Sequence, residues 1–129
     1  MLWKVPAELT TREKRLVARM RKRSRFFVFL REIRAELFDE DFQNELAAAY
    51  EPRGQEPVPP ALLAMVMLLQ AYTGTSDAGA VDEAEMDQRW QLVLGTLGQE
   101  KAPFGQGSLP RFRERLAEHD LDRRLLVRT

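Results

Sequence analysis

The sequence contains no cysteine and a single histidine, His119, among its 129 residues. Without cysteine the chain can form neither disulfides nor thiolate metal sites, and one histidine argues against a metal centre built on imidazole ligands. The longest apolar run, at residues 61–69, is far shorter than the roughly 20 residues that span a bilayer. No basic segment followed by a long apolar stretch opens the chain, so no secretory signal is expected. These absences favour a cytoplasmic protein with no membrane contact, metal ion or other cofactor.

Alternation of apolar and polar residues, the pattern of a half-buried strand, is also scarce. Apolar side chains recur at helical spacing in nearly every segment, which predicts an all-α fold, a compact helical bundle. A helix is expected to begin where Thr10 and Glu13 stand at the spacing of a capping box. Its narrow apolar stripe lapses at residues 23–25, a pattern compatible with a break in the helix and also with one continuous helix.

The segment at residues 60–73 is apolar on every side, which is typical of a helix at the centre of a bundle. Gly74 follows it at the position where a left-handed residue commonly ends a helix. Farther along, Met86, Trp90 and Leu94 are spaced to form one apolar face. We therefore predict a buried central helix with further helices packed around it.

The formal net charge of the chain is zero, but the charges are segregated. Residues 1–34 contain 11 Lys or Arg and 3 Asp or Glu, a net charge of +8. Residues 35–107 contain 3 basic and 13 acidic residues, a net charge of −10, and residues 108–129 have a net charge of +2. A polyanion responds to the local field of such a segment and not to the average over the chain.

We define the basic arm as residues 1–25, and predict a domain at residues 26–129. Eight cations crowd into fourteen residues of the arm and repel one another unless an anion is bound or salt screens them. Nucleic-acid phosphates are the natural partner, because each neutralised phosphate releases condensed counterions. A solvated face balanced by the acidic middle of the chain, or a basic helix that binds a membrane or a protein groove, are the alternatives. The predicted DNA-binding residues of the arm are Arg12, Lys14, Arg15, Arg19, Arg21, Lys22, Arg23 and Arg25.

A second candidate DNA contact lies near the C-terminus of the sequence. A buried helix, the turn at Gly74, more helix and a short helix capped by Ser108 resemble the order of a helix-turn-helix. Arg111 and Arg115 fall on one side of that short helix and could face phosphates or base edges. Alternating Arg and Glu residues are equally typical of any exposed helix, so this portion is predicted only as helix-turn-helix-like.

The acidic residues of the middle segment do not predict a catalytic site. Metal-dependent catalysis needs carboxylates that converge in a cleft, whereas a run along a helix radiates outward. The expected role is a solvated acidic face formed by Asp77, Asp82, Glu83, Glu85 and Asp87. His119 has no second histidine, cysteine or evident serine partner, so we predict no catalytic residue and no metal ligand in this chain.

Taken together and in order, several strings resemble one protein family, the N-terminal domain of bacterial insertion-sequence transposases of the DDE class. The resemblance extends from about residue 26 to residue 126, and the basic arm is its least matched part. The strings are Phe29-Leu30-Arg31-Glu32, the segment 39–50, Pro57-Val58-Pro59-Pro60, Leu69-Gln70-Ala71-Tyr72-Thr73-Gly74, Ser76-Asp77, Asp87-Gln88-Arg89-Trp90, Pro103-Phe104-Gly105-Gln106-Gly107-Ser108 and Phe112-Arg113-Glu114-Arg115-Leu116.

The resemblance implies a helical domain that precedes a ribonuclease-H-like catalytic domain in a bacterial, nucleoid-associated enzyme that moves DNA. The chain by itself is then expected to be non-catalytic, whether it is a piece, a truncated reading frame or one half of a split transposase. Its expected partner is double-stranded DNA at the ends of the element. The alternative is a protein-interaction module, which dimerises with itself or associates with an intact transposase.

Overall fold

The structure of the chain, a computed structural model, describes residues 2–49 and 58–119, and these residues form helices and no strand. The α-helices are α1 (Thr11–Arg19), α2 (Arg25–Leu37), α3 (Glu40–Ala49), α4 (Pro60–Thr73), α5 (Asp77–Met86), α6 (Gln88–Leu94) and α7 (Ser108–Glu118), with a 3₁₀ turn at Lys22–Ser24 between α1 and α2. The predicted all-α bundle is therefore confirmed. None of the described helices is both long and apolar enough to cross a membrane.

Helix α4 lies at the centre of the bundle, as its uniformly apolar sequence predicts. Leu63, Met65 and Leu69 are fully buried, and α3, α6 and α7 pack around the helix. Pro60 stands in the first turn, where its missing N–H costs no hydrogen bond. Gly74 ends the helix in the left-handed conformation, with φ of 73°, as predicted.

Helix α2 is the second organising element, and it packs mainly against α6. Phe27 and Leu30 of α2 and Trp90 of α6 are buried in the shared core. The core continues to α7 through Phe112 and Leu116, which are fully buried. The helices thus enclose one core, with α1 added on its outside.

The lapse in apolar spacing at residues 23–25 is a true break between helices. Helix α1 ends at Arg19, and Met20 adopts an extended conformation with ψ of 140° before the 3₁₀ turn starts. Helix α2 then begins at Arg25. The break turns the chain, so that α1 and α2 are separate elements; the alternative of one continuous helix is wrong.

Two of the predicted helix details are wrong. Ser108 does not cap α7 with its side chain: it is the first residue of the helix, because Gly107 already has helical dihedral angles. Met86 does not share a face with Trp90 and Leu94. Helix α5 ends at Met86, the chain bends at Asp87 and α6 starts anew, so the side chain of Met86 is 83% exposed.

The division into an arm at residues 1–25 and a domain at residues 26–129 stays a prediction, and residues 120–129 lie outside the described part of the chain. Within residues 2–25 the structure places Trp3 and Leu16 in contact with the bundle, both of them buried. The helix-turn-helix resemblance also stays a prediction. Three residues, 74–76, connect α4 to α5, whereas residues 95–107 separate α6 from α7.

Candidate nucleic-acid interface

Helix α1 begins with the capping box that the sequence predicts. The hydroxyl oxygen of Thr10 accepts a hydrogen bond from the Glu13 N–H at 3.1 Å, and the Glu13 carboxylate accepts one from the Thr10 N–H at 2.9 Å. These bonds satisfy two backbone donors that the first turn would otherwise leave free. The helix therefore has a defined start, although it is only nine residues long.

The capping glutamate also anchors the helix to the core. Its carboxylate accepts two hydrogen bonds from Arg31 of α2, one from Nε at 2.9 Å and one from Nη2 at 3.0 Å. Both side chains are buried, and the guanidinium donates further bonds to the carbonyl oxygens of Ala7 and Glu8. Burial raises the pKa of Glu13, but the hydrogen bonds from Arg31 and Thr10 and the charge of Arg31 outweigh this effect and lower it. A buried, two-pronged ion pair thus fixes α1 against α2.

A second buried arginine, Arg34, holds the N-terminal segment against α6. Its Nη1 donates to the carbonyl oxygens of Leu92 and Val93, at 3.3 and 3.1 Å, and its Nη2 donates to that of Pro6 at 2.9 Å. A cation is favourable there because the last carbonyl groups of a helix are the negative end of its dipole. Burial, followed by the charge of Arg31, lowers the pKa of Arg34 to about 10, which leaves it charged at neutral pH.

Neither buried arginine was predicted from the sequence. Arg31 lies four residues after Phe27, and Arg34 lies four residues after Leu30, so both fall on the buried face of α2. That spacing was the available signal, since a cation on an apolar face needs partners from elsewhere in the chain.

The eight cations predicted for the basic arm are exposed, and none of them forms an ion pair with another described residue. In the described part of the molecule, no carboxylate of the acidic middle segment pairs with any of these cations, as the alternative of a balanced, solvated face would require. Two of the cations have contacts with the bundle. Arg19 reaches Gln88 at 3.5 Å, and the guanidinium of Arg12 lies close over Gly98.

Six of the eight cations fall into two sets according to the elements around them. Arg12, Arg15 and Arg19 follow one another at helical spacing, so they form a row along the flank of α1 that faces α6 and residue 98. We call these three the arginine row; it is roughly 10 Å long. Lys14 is exposed on the same helix, and Arg23 is exposed in the turn that follows.

Arg21, Lys22 and Arg25 line a groove of about 600 Å³ between the end of α1 and the start of α2, which we call the basic groove. Its apolar lining comes from Val17, Met20, Val28 and Phe29. Glu32 contributes one carboxylate to the same lining. The phenylalanine is half exposed, so the groove combines positive charge with an accessible aromatic ring.

The three arginines of α7 differ in what they contact. Arg113 donates two hydrogen bonds to Asp77, at 3.0 and 2.6 Å, and ties α7 to the first turn of α5. Arg115 stands 3.6 Å from Glu118 on the same helix, and the side chain of Arg111 donates to the carbonyl oxygen of Gly107. Arg111 and Arg115 are therefore the cations of α7 with little or no competition from a carboxylate.

The structure does not bring the two predicted sets of DNA contacts together. Helix α1 lies against the end of α5 that carries Met86, whereas α7 is tied to the opposite end at Asp77. Helix α5 has ten residues, so roughly 15 Å of helix separates the two points. One ligand would have to be extended to reach both sets.

Asp77 and Asp87, at the two ends of α5, serve local structural purposes. Asp87 caps α6 through the Arg89 N–H at 2.9 Å and accepts two hydrogen bonds from the Arg89 guanidinium. Burial raises the pKa of Glu83, and so does its hydrogen bond with Asp87. Among the described residues, no three acidic or histidine side chains are grouped so that they could hold a metal ion. His119, the last of the described residues, is exposed at the end of α7.

The family model described as "Transposase domain (DUF772)" matches residues 12–115. No curated protein and no solved structure matches the chain. The matched range starts in α1, includes the arginine row and the basic groove, and ends within α7. Because the match covers most of the sequence, the chain belongs to the transposase domain family DUF772.

Proposed function

We propose that this chain is a non-catalytic, DNA-binding domain of an insertion-sequence transposase, which binds the ends of the element through the cations of α1 and of the turn after it. Membership of the transposase family supports a role in transposition. The single observation on which DNA binding rests is the exposure of eight cations that have no carboxylate partner among the described residues. Clustered like charges of this kind are costly in the free protein and favourable against a phosphate backbone.

The buried ion pair between Glu13 and Arg31 supports this proposal because it holds α1 in place. A basic helix that was free in solution would lose conformational entropy when it bound DNA. Here the arginine row stands on a helix that is already capped and held against α2. The cations are therefore presented on a rigid element, and binding mainly has to order their side chains.

The first test replaces the arginine row by glutamine, as the triple variant Arg12→Gln, Arg15→Gln, Arg19→Gln. Duplex binding is measured at several salt concentrations between about 50 and 200 mM. If all three residues contact phosphates, the slope of log K against log salt falls in magnitude by about 2.7, which is 0.9 for each contact. Affinity at the lowest salt concentration falls with it.

The matched control replaces the same three arginines by lysine, which keeps the charge and has a similar helix propensity. The lysine variant is expected to keep the salt slope, because phosphate neutralisation needs the charge and not the guanidinium shape. If the wild type and the glutamine variant have equal slopes of log K against log salt, the arginine row does not contact DNA phosphates. A lysine variant that lost binding as the glutamine variant does would indicate base contacts or structural damage.

Helix α7 provides a second test with a control on the same helix. Replacing Arg111 by glutamine is expected to weaken duplex binding and to lower the salt slope by about 1, the value of a single phosphate contact. Replacing Arg113 is expected to leave the slope unchanged, because Asp77 already pairs with it. If both variants bind as the wild type does, α7 has no part in binding DNA.

A further inference from the structure

Two large apolar side chains remain exposed without a packing partner that accounts for them. Phe29 is 50% exposed and Met86 is 83% exposed. Tyr72, the other large exposed apolar residue among those described, stacks on Phe26 with ring centroids 3.8 Å apart. Phe29 and Met86 come from helices far apart in sequence, so local helix formation explains neither exposure.

The two side chains line neighbouring grooves that share one wall. Phe29 lines the basic groove, and Met86 lines a groove of about 540 Å³ between α1 and the junction of α5 with α6, which we call the acidic groove. Met20 lines both. A continuous apolar strip therefore runs from Phe29 across Met20 to Met86.

The ends of this strip have opposite charge. At the Phe29 end stand Arg21, Lys22 and Arg25, opposed only by Glu32 within the groove lining. At the Met86 end stand Glu83 and Asp87, of which Asp87 is paired with Arg89. Asp82 is exposed next to Glu83 and adds to the negative charge. The strip is positive at one end, apolar in the middle and negative at the other.

We propose that a second copy of this chain docks on the strip, related to the first by a two-fold axis near Met20. In such a pair the same patch serves both copies, and each contact away from the axis occurs twice. Rotation about the axis lays the basic end of each copy over the acidic end of the other. A strip whose ends have opposite charge is complementary to itself in this antiparallel arrangement.

The same arrangement accounts for both exposed side chains. Met86 of each copy enters the basic groove of the other and meets the ring of Phe29. Methionine sulfur packs favourably against an aromatic ring, and an unbranched side chain adapts to an irregular groove. Of the arginine row, only Arg19 reaches the edge of the acidic groove, where it contacts Gln88, whereas Arg12 lies farther along α1 against Gly98. The inference does not depend on the proposed DNA binding.

The test uses the whole chain without DNA and two variants that change only exposed residues, Phe29→Glu and Met86→Lys. Sedimentation equilibrium of the wild type is expected to show a dimer that dissociates on dilution. Each variant alone is expected to weaken that dimer at least about 30-fold, the loss typical of an anchor residue at an interface. In the pair, the glutamate at position 29 faces Glu83 and Asp87 of the other copy, and the lysine at position 86 enters its basic groove, so each variant sets like charges against each other.

A mixture of the two variants separates this two-fold arrangement from any other. In the mixed pair, one contact keeps the wild-type Phe29 and Met86, and in the other the introduced lysine faces the introduced glutamate. The mixed dimer is therefore expected to form at concentrations at which each variant alone is monomeric. Tyr72→Lys, which also changes an exposed aromatic residue but lies outside the strip, is expected to dimerise as the wild type does.

Three results would overturn the proposal. They are a wild type that stays monomeric up to about 1 mM, single variants that dimerise as the wild type does, and variants that fail to pair in the mixture. If the basic groove binds a nucleobase instead, the wild type is monomeric and Phe29→Glu, but not Met86→Lys, weakens binding to a single-stranded oligonucleotide. Salt-dependent duplex binding through the arginine row is measured separately, so either proposal can fail without the other.

Discussion

Replacing Glu13 by glutamine is expected to lower the free energy of unfolding by about 3 to 5 kcal/mol, the cost of leaving one member of a buried ion pair without its partner. Glutamine keeps a side-chain oxygen that can accept the hydrogen bond from the Thr10 N–H, so most of the capping box survives. The same oxygen also accepts from Nη2 of Arg31, but the charge opposite Arg31 disappears and the new NH2 group faces its Nε, donor against donor. The loss should therefore exceed that of an ordinary helix cap, which is about 1 kcal/mol.

The effect depends on pH in a direction that follows from the pKa of Glu13. The hydrogen bonds from Arg31 and Thr10 hold the pKa of the folded protein below the ordinary value of 4.5. Such a group stabilises the fold above its unfolded pKa, and the stabilisation disappears as the pH falls through the folded pKa. The difference between the wild type and Glu13→Gln is thus largest near neutral pH and shrinks below about pH 4.5.

Urea unfolding followed by circular dichroism at pH 7 and at pH 3 measures both effects. Glu8→Gln is the matched control: it removes a carboxylate from an exposed position nearby and should change stability by less than about 0.5 kcal/mol. Combining Glu13→Gln with Arg31→Met should cost less than the sum of the single changes, because the two residues share one interaction. A loss below about 1 kcal/mol for Glu13→Gln would mean that the pair does not hold α1 in place.

The features that the sequence predicts correctly are those whose causes lie within a few residues. The capping box at Thr10 and Glu13 and the left-handed Gly74 depend on residues up to three positions apart. The buried position of α4 follows from its composition alone, since a helix that is apolar all round must be covered. The helical architecture is therefore predictable without knowledge of the packing.

The features that the sequence does not predict arise from contacts between distant segments. Arg31 meets Glu13 across 18 positions, and Arg34 meets the end of α6 across 58 and 59 positions. The chain bends at Asp87, whose carboxylate caps α6, so α5 ends at Met86 and the side chain of Met86 is exposed. Helical spacing alone carries no information about such a bend.

The candidate interface is likewise predicted from the sequence only in part. Charge segregation along the sequence identifies the eight cations of the basic arm, and the structure finds each of these cations exposed. Their separation into the arginine row and the basic groove depends on the end of α1 at Arg19 and on the contacts of Arg12 and Arg19 with the bundle. The strip from Phe29 to Met86 requires three helices to meet, so no single stretch of sequence contains it.

Two glycines of this fold have almost the same backbone conformation, and comparing them separates backbone strain from crowding. Gly74 ends α4 with φ of 73° and ψ of 24°, and Gly95 ends α6 with φ of 76° and ψ of 25°. A Cβ on Gly74 would meet nothing within 4 Å, whereas a Cβ on Gly95 would stand 2.9 Å from a methyl group of Val5. Gly74→Ala is therefore expected to lower the free energy of unfolding by about 1 kcal/mol, the cost of a left-handed alanine.

Gly95→Ala is expected to cost about 3 kcal/mol, because overpacking against Val5 adds to the same backbone strain. The new methyl group would also lie 3.5 Å from Nη1 of Arg34, which binds the end of α6. Urea unfolding of both variants measures the difference, and Val5→Ala should reduce the cost of Gly95→Ala to that of Gly74→Ala by removing the crowding methyl group. If Gly74→Ala and Gly95→Ala lower the free energy of unfolding equally in the wild-type background, the N-terminal segment moves away at Val5 without a further cost. Because Pro6, the next residue, binds Arg34, the segment that leads into α1 would then be held less firmly than its hydrogen bonds indicate.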